Sequence, residues 1–190
     1  MMNRYVFKRM LCAGLVLAAT AGSTWADDLK YGGTLRIASI QSDLDAFDPL
    51  TGYSIDSWEI LRATTRQLVT YAGSSEGLKQ DTVLVPDLAA SWDVTDDGKT
   101  HTFHLKDDVY FSGSIDRKIV AGDFVYGIKR FCDPNKQVAA INYFNLVISG
   151  FVDYCKEFAK VPTGDLAATK AFIDSHEISG VSAPDDRTLV

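Results

Sequence analysis

Three histidines, two cysteines beyond the N-terminal apolar run and the aspartate doublets further along the chain are the groups best suited to chemistry in this sequence. His101 and His104 stand three apart in a segment that alternates like a strand. Their rings therefore point to opposite faces and cannot chelate one metal ion from an undistorted strand. His176 stands alone. Asp96/Asp97, Asp107/Asp108 and Asp185/Asp186 each fall in a turn signal. There an aspartate bonds nearby backbone rather than facing a second carboxylate across a substrate. There is no G-x-S-x-G elbow, Walker-type loop or H-E-x-x-H pair, and Gly73 to Gly77 lacks the Gly-Lys-Ser/Thr that holds phosphate. An exported hydrolase would need a nucleophile, a base and an orienting group, and no such set can be assigned. No catalysis and no cofactor are expected. Tyr53, Trp58 and Tyr71 are better placed for recognition, because they lie near element ends where an amphipathic ring can line a cleft.

The elements that would carry these residues follow from periodicity. Gly32-Gly33 precede a first strand over Thr34 to Ser39, with Leu35 and Ile37 on one face. Gln41 to Tyr53 reads as loop, with Asp48-Pro49 marking a turn. Asp56 and Glu59 have capping-box spacing, and Ile60, Leu61, Leu68 and Val69 predict a helix ending near Gly73. Trp92 and Val94 alternate with polar neighbours, Asp96-Asp97-Gly98-Lys99 supplies a turn, and Phe103 and Leu105 return on one face. Val109 and Phe111 predict a third short strand, and core packing is the default for Trp92, Phe103 and Phe111. Gly122-Asp123 opens a helix carrying Phe124, Ile128 and Phe131, with Lys129 and Arg130 near its C-terminal end. Val138 to Phe158 is expected to be helical with a break at Gly150, and Asp165 to Asp174 to form another helix. Ile178 to Ala183, Pro184-Asp185-Asp186 and Arg187 to Val190 read as strand, turn, strand. Strands and helices mix without a regular βαβ rhythm, so the class is α/β in the broad sense, mixed α+β.

The N-terminus sets the compartment. Arg4, Lys8 and Arg9 precede an apolar run of about twelve residues, Met10 to Ala21, and small residues lead to an expected cut after Ala26. The run is too short to span a bilayer, which takes roughly 20 apolar residues. Cys12 lies too early in it to serve as a lipid anchor. Residues 1–26 thus read as a signal peptide and 27–190 as the mature chain, exported to the periplasm. Removing three of 19 basic groups leaves 16 against 25 acidic residues, a net charge of −9. That balance disfavours nucleic acid and anionic lipid as partners. Cys132 and Cys155 remain; in an oxidising compartment they form either a disulfide or two separate buried thiols.

One long stretch resembles a known family. Val85-Pro86-Asp87-Leu88-Ala89-Ala90-Ser91-Trp92 leads into Asp96-Asp97-Gly98-Lys99, then Phe103-His104-Leu105-Lys106, Val109-Tyr110-Phe111 and Ala121-Gly122-Asp123-Phe124-Val125. The order is similar to the bacterial extracellular solute-binding proteins of family 5, the oligopeptide- and dipeptide-binding proteins of ABC importers. Gly32 to Arg36, Asp48-Pro49, Leu68 to Tyr71 and Ala183 to Val190 resemble the family's flanking segments. Phe111 to Lys118 departs from it by lacking a proline and running about two residues longer.

The resemblance implies a periplasmic-binding-protein-like fold, with this chain forming part of the first lobe of a two-lobed class II binding protein. It implies a monomer that captures short peptides and hands them to membrane permease subunits. Trp92, Asp97, Gly98, Phe103, Leu105, Phe111 and Asp123 are its signature positions, expected to act in core, turn and helix start. Ligand contacts are expected at Gln41, Ser42, Asp43 and Tyr71. Family members are much longer than this chain, which stops at Val190 inside an expected strand, so the chain is expected to be truncated. Other readings are a nickel, haem or other small solute as ligand, with the scarcity of histidine arguing against directly bound nickel, and a truncated remnant that binds nothing.

Overall fold

A computed structural model describes residues 32–34, 36, 38, 44–72, 82–138 and 141–190. The signal segment, half of the strand expected over Thr34 to Ser39, and Gln41, Ser42 and Asp43 lie outside the described residues. The chain divides between Ala38 and Ser39, and the elements below belong to the unit Ser39–Val190.

Helix α1 spans Ile55–Thr64 and is capped by Ser54, whose hydroxyl accepts from the Ser57 amide at 3.1 Å. This corrects the start expected from Asp56 and Glu59. The end also differs, because α1 stops at Thr64 rather than near Gly73. The Thr64 and Thr65 hydroxyls bond back to the Ile60 and Leu61 carbonyls at 2.8 and 2.6 Å, and Thr65 is extended. The β-branched run that follows prefers strand, so Val69–Tyr71 forms β1, antiparallel to β2 at Leu84–Pro86. Leu68 and Val69 therefore belong to the sheet side of this boundary, where the Leu68 carbonyl accepts from the Ala89 amide.

The hairpin is β3, Ala89–Val94, paired with β4, His101–Leu105, and it places Trp92 opposite Phe103. Gly98 turns the chain with φ 68°, a conformation only glycine adopts freely. Asp97 fixes the turn by accepting from the Thr95 hydroxyl at 2.6 Å and the Lys99 amide at 3.1 Å. The third strand expected at Val109 and Phe111 shrinks to one bridge between Tyr110 and Lys118. Asp107-Asp108 on one side and Ser112-Gly113-Ser114 on the other leave too short an apolar alternation to pair. The third strand of the sheet is instead β5, Thr188–Leu189, giving the order β3-β4-β5.

Helix α2, Ala121–Lys129, runs into a 3-10 turn at Arg130–Cys132. Asp123 accepts from the Val120 amide at 2.9 Å and pairs with both Arg117 guanidinium nitrogens, satisfying the helix start. The region Val138 to Phe158 divides into α3, Ile141–Asn145, and α4, Phe151–Phe158, separated at Gly150 with φ 73°. Helix α5 covers Leu166–Ser175, with Asp165 accepting from the Ala168 amide at 2.9 Å. Ile178 to Ala183 is not a strand. It keeps one reciprocal pair, Ser182 with Val190, both bonds 2.9 Å, because Gly180 turns its backbone onto Ser149 with no room for a Cβ.

The core joins the sheet to the helices. Leu105 and Leu189 meet Val125 of α2, Phe151 and Phe158 of α4 and Ile173 of α5. Each such buried side chain contributes about 1.5–3 kcal/mol relative to exposure. Phe103 packs against this cluster, whereas Trp92 and Phe111 are only half-buried and stand outside it. The Cys132 and Cys155 sulfurs are joined as a disulfide, with Cα atoms 4.8 Å apart, tying the end of α2 to α4.

Candidate functional site

Asp45 organises the loop that enters α1. Its carboxylate accepts from the Tyr53 amide at 2.7 Å, the Ser54 amide at 2.9 Å, the Ser54 hydroxyl at 3.0 Å and the buried Ser57 hydroxyl. The Ser57 hydroxyl, then the Tyr53 amide and the Ser54 donors, hold the Asp45 carboxyl far below the usual carboxylate range. Three residues on, Asp48 accepts from the Leu50 amide at 3.0 Å and from Arg130 at 2.9 Å. Burial pushes the Asp48 carboxyl up, but the Leu50 amide and the Arg130 guanidinium outweigh it and leave it lowered. Two carboxylates bonded into the loop's own backbone restrain its shape.

This loop presents an aromatic face. Tyr53 and Trp58 meet edge to face with centroids 5.6 Å apart, and the Trp58 indole nitrogen donates to the Gly52 carbonyl at 2.9 Å. The Tyr143 hydroxyl of α3 raises the Tyr53 phenol above its ordinary value. Tyr53, Trp58 and Tyr143 are about half exposed or more, and Phe47 and Ile55 on the same segment are exposed as well. Ring faces with hydroxyl tips suit a ligand that carries both apolar groups and hydrogen-bonding backbone.

Two concavities hold their own polar pairs. A cavity of about 560 Å³ beside Phe111 and Phe124 holds Arg66, paired with Asp87 at 2.6 Å, and Asp123, paired with Arg117. A cavity of about 620 Å³ between α2 and α5 holds Lys129, which is buried, donates to the Ile173 carbonyl at 3.1 Å and pairs with Glu177 at 2.9 Å. Among the described residues no cluster of His, Cys, Asp and Glu could hold a metal ion. His101 and His104 do not converge: the His104 ring bonds Asp93 at 3.0 Å, and His176 stacks on Phe172 beyond the end of α5.

The structure places the remaining site candidates unevenly. Tyr71 ends β1, half exposed and paired with Leu84, and no described contact brings it to the aromatic face. Asp97 and Gly98 make the hairpin turn, Asp123 the start of α2, and Leu105 lies in the core. Phe111 lies under the Arg117 guanidinium, 4.6 Å from the ring centroid. Sequence reasoning singled out Tyr53 and Trp58 but missed Asp45 and Tyr143. Asp45 lay in a loop whose Asp and Ser residues all looked alike, and Tyr143 lay in a stretch expected to be helical up to a break at Gly150, where nothing in its spacing set it apart.

Residues 83–190 match the model of the bacterial extracellular solute-binding proteins, family 5 Middle. The chain belongs to this family. It is 28% identical over 194 residues to the periplasmic oligopeptide-binding protein OppA of Escherichia coli, across 99% of this chain and 31% of that one. It is 29% identical over 141 residues to the dipeptide-binding protein DppE of Bacillus subtilis, across 73% of this chain and 24% of the relative. Among solved structures, Haemophilus influenzae OppA in complex with the peptide RPPGFSPFR superposes with TM-score 0.56 at 28% identity, over 76% of this chain and 24% of that one. The murein tripeptide binding protein MppA of E. coli shares the fold, with TM-score 0.58 at 22% identity, over 79% of this chain and 25% of that one. The chain therefore spans about a quarter to a third of the length of these family 5 relatives. Among the described residues no helix is long and apolar enough to cross a membrane.

Proposed function

We propose that this family 5 chain contributes to a periplasmic binding protein that captures short peptides for an ABC importer, without catalysis. The observation that carries the reading is the family match over the signature segment, extended along 99% of the chain by the likeness to an oligopeptide-binding protein. The aromatic face supports it. Tyr53, Trp58 and Tyr143 offer ring contact and hydroxyl hydrogen bonds that tolerate varied side chains, as a peptide receptor requires. Among the described residues, the paired states of Lys129, Arg66 and Asp123 leave the other cavities with less to offer a charged solute. Gln41, Ser42 and Asp43, just before Asp45, are proposed to contact the peptide backbone, with Tyr71 as a further contact.

The leader Met1 to Ala26 would direct export to the periplasm, and membrane permease subunits would be the downstream partner of a monomeric receptor. Calorimetry on the product of the complete reading frame tests the ligand class. Heat on adding a mixed di- to pentapeptide library supports the reading. Silence toward peptides, with tight binding of a single non-peptide solute such as haem, sinks it.

A further inference from the structure

The loop that enters α1 is acidic as well as aromatic. Residues 44–59 hold four carboxylates, on Asp45, Asp48, Asp56 and Glu59, and no lysine, arginine or histidine. Asp48 is met by Arg130 at 2.9 Å. Among the described residues Asp45 is met only by neutral donors, the amides of Ala46, Tyr53 and Ser54 and the hydroxyls of Ser54 and Ser57. They hold its carboxyl far below the usual range, so it is ionised at neutral pH, and it is exposed. The positive end of α1 offsets about half a unit of that charge and leaves the rest. With its lone pairs filled by these donors, Asp45 acts on a ligand through its field rather than by a direct bond.

The two rings beside it have the same polarity. Tyr53 and Trp58 cross at 81° with centroids 5.6 Å apart, so their planes form a corner. The Tyr53 amide donates to the Asp45 carboxylate at 2.7 Å, and the hydroxyl of Ser57, the neighbour of Trp58, donates to the same group. The carboxylate therefore lies beside both ring-bearing residues. The Trp58 indole N–H is spent on the Gly52 carbonyl at 2.9 Å. What half-exposed Trp58 offers a ligand is thus its π surface, whose negative face attracts a cation and repels an anion. Phe47 and Ile55, exposed on the same segment, suit the apolar stem of a long charged side chain.

We infer that Tyr53, Trp58 and Asp45 make this face selective for peptides with a cationic side chain, a lysine ammonium or an arginine guanidinium lying against the ring corner within the field of Asp45. The inference rests on the proposed peptide-binding role and narrows its ligand class. An acidic side chain in the same place meets the negative ring faces and a like charge, so it is the one most strongly excluded. A neutral apolar side chain gains the ring contact without the charge term and ranks between them.

The test uses the complete protein and alanine tri- to pentapeptides with free termini, each carrying one internal lysine, leucine or glutamate. Calorimetric titrations are run at low and at high salt, where the Debye length is about 30 Å and about 3 Å. At low salt the lysine peptides should bind severalfold more tightly than the leucine ones and about tenfold or more above the glutamate ones, and high salt should shrink the lysine-to-glutamate ratio. Trp58→Leu keeps apolar bulk and removes the π face, so it should weaken the lysine peptides more than the leucine peptides. Asp45→Asn should cut the lysine-to-glutamate ratio; should that variant not fold, the salt series on the wild type decides the point. Equal binding of the three kinds, a preference for glutamate, or a ratio untouched by salt or by Trp58→Leu overturns the inference while the peptide-binding reading stands. Silence toward all of them removes that reading and this inference with it.

Discussion

Arg130, at the end of α2, reaches the Asp48 carboxylate at 2.9 Å across 82 positions of sequence. Asp48 in turn accepts the Thr51 and Gly52 amides on its own carbonyl, at 3.0 and 2.9 Å. One ion pair thus ties the loop that presents Tyr53 to the helix that leads into the disulfide. Both partners are about one-third exposed, so the pair itself is worth about 1 kcal/mol or less. Its larger role is to fix where the loop sits. Arg130→Ala should lower stability by about 1 kcal/mol in urea titration and weaken peptide binding by more than that loss alone accounts for.

Asp45 gives a pH signature. Its carboxyl is held far below its ordinary value of 3.8 by hydrogen bonds from Ser57, Tyr53 and Ser54. A lowered folded pKa means that the unfolded chain takes up the proton first as pH falls. The stabilisation is therefore complete well above pH 3.8 and drains away as pH falls below it toward the folded value. Asp45→Asn should lower Tm at pH 7, and its gap to the wild type should narrow as pH is taken down through that window.

How much of this could be read beforehand depended on the range of the interactions. The hairpin was legible because Trp92, Val94, Phe103 and Leu105 alternate and Gly98 marks the turn within a dozen residues. The starts of α2 and α5 were legible for the same local reason, through Asp123 and Asp165. The end of α1 was not, because Leu68 and Val69 continue a helical stripe by spacing, while Val69 pairs with Pro86 and the Leu68 carbonyl accepts from the Asp87 and Ala89 amides. The aromatic face was half legible. Tyr53 and Trp58 are neighbours in sequence, but Tyr143 lies far along the chain in α3, where no local pattern links it to them.

Lys129 separates a buried strut from a surface ion pair. Its ammonium is buried and donates to the Ile173 carbonyl in the last turn of α5, while its partner Glu177 is 71% exposed. Lys129→Met removes a buried charge, which offsets part of the loss, but leaves that carbonyl without its donor. The net effect should be destabilisation of about 1–3 kcal/mol. Glu177→Gln should cost less than about 1 kcal/mol, and chemical denaturation of the two variants side by side checks the order.

Gly150 tests the break between α3 and α4. Its φ is 73°, and an added Cβ would lie 3.1 Å from the Ser179 amide nitrogen and collide with the Ser179 hydroxyl. Left-handed backbone and steric conflict act in the same direction, so Gly150→Ala should destabilise by about 2 kcal/mol or more. A Tm equal to that of the wild type would contradict the turn described here.

The most direct test of the account is a calorimetric titration of the complete protein with a short peptide of the bound class, repeated with Trp58→Ala. If the aromatic face is the peptide site, the wild type binds and the variant binds at least about tenfold more weakly, the loss expected for one central aromatic contact. Equal affinity in the two proteins, with the variant fully folded, would contradict the assignment of this face as the ligand site.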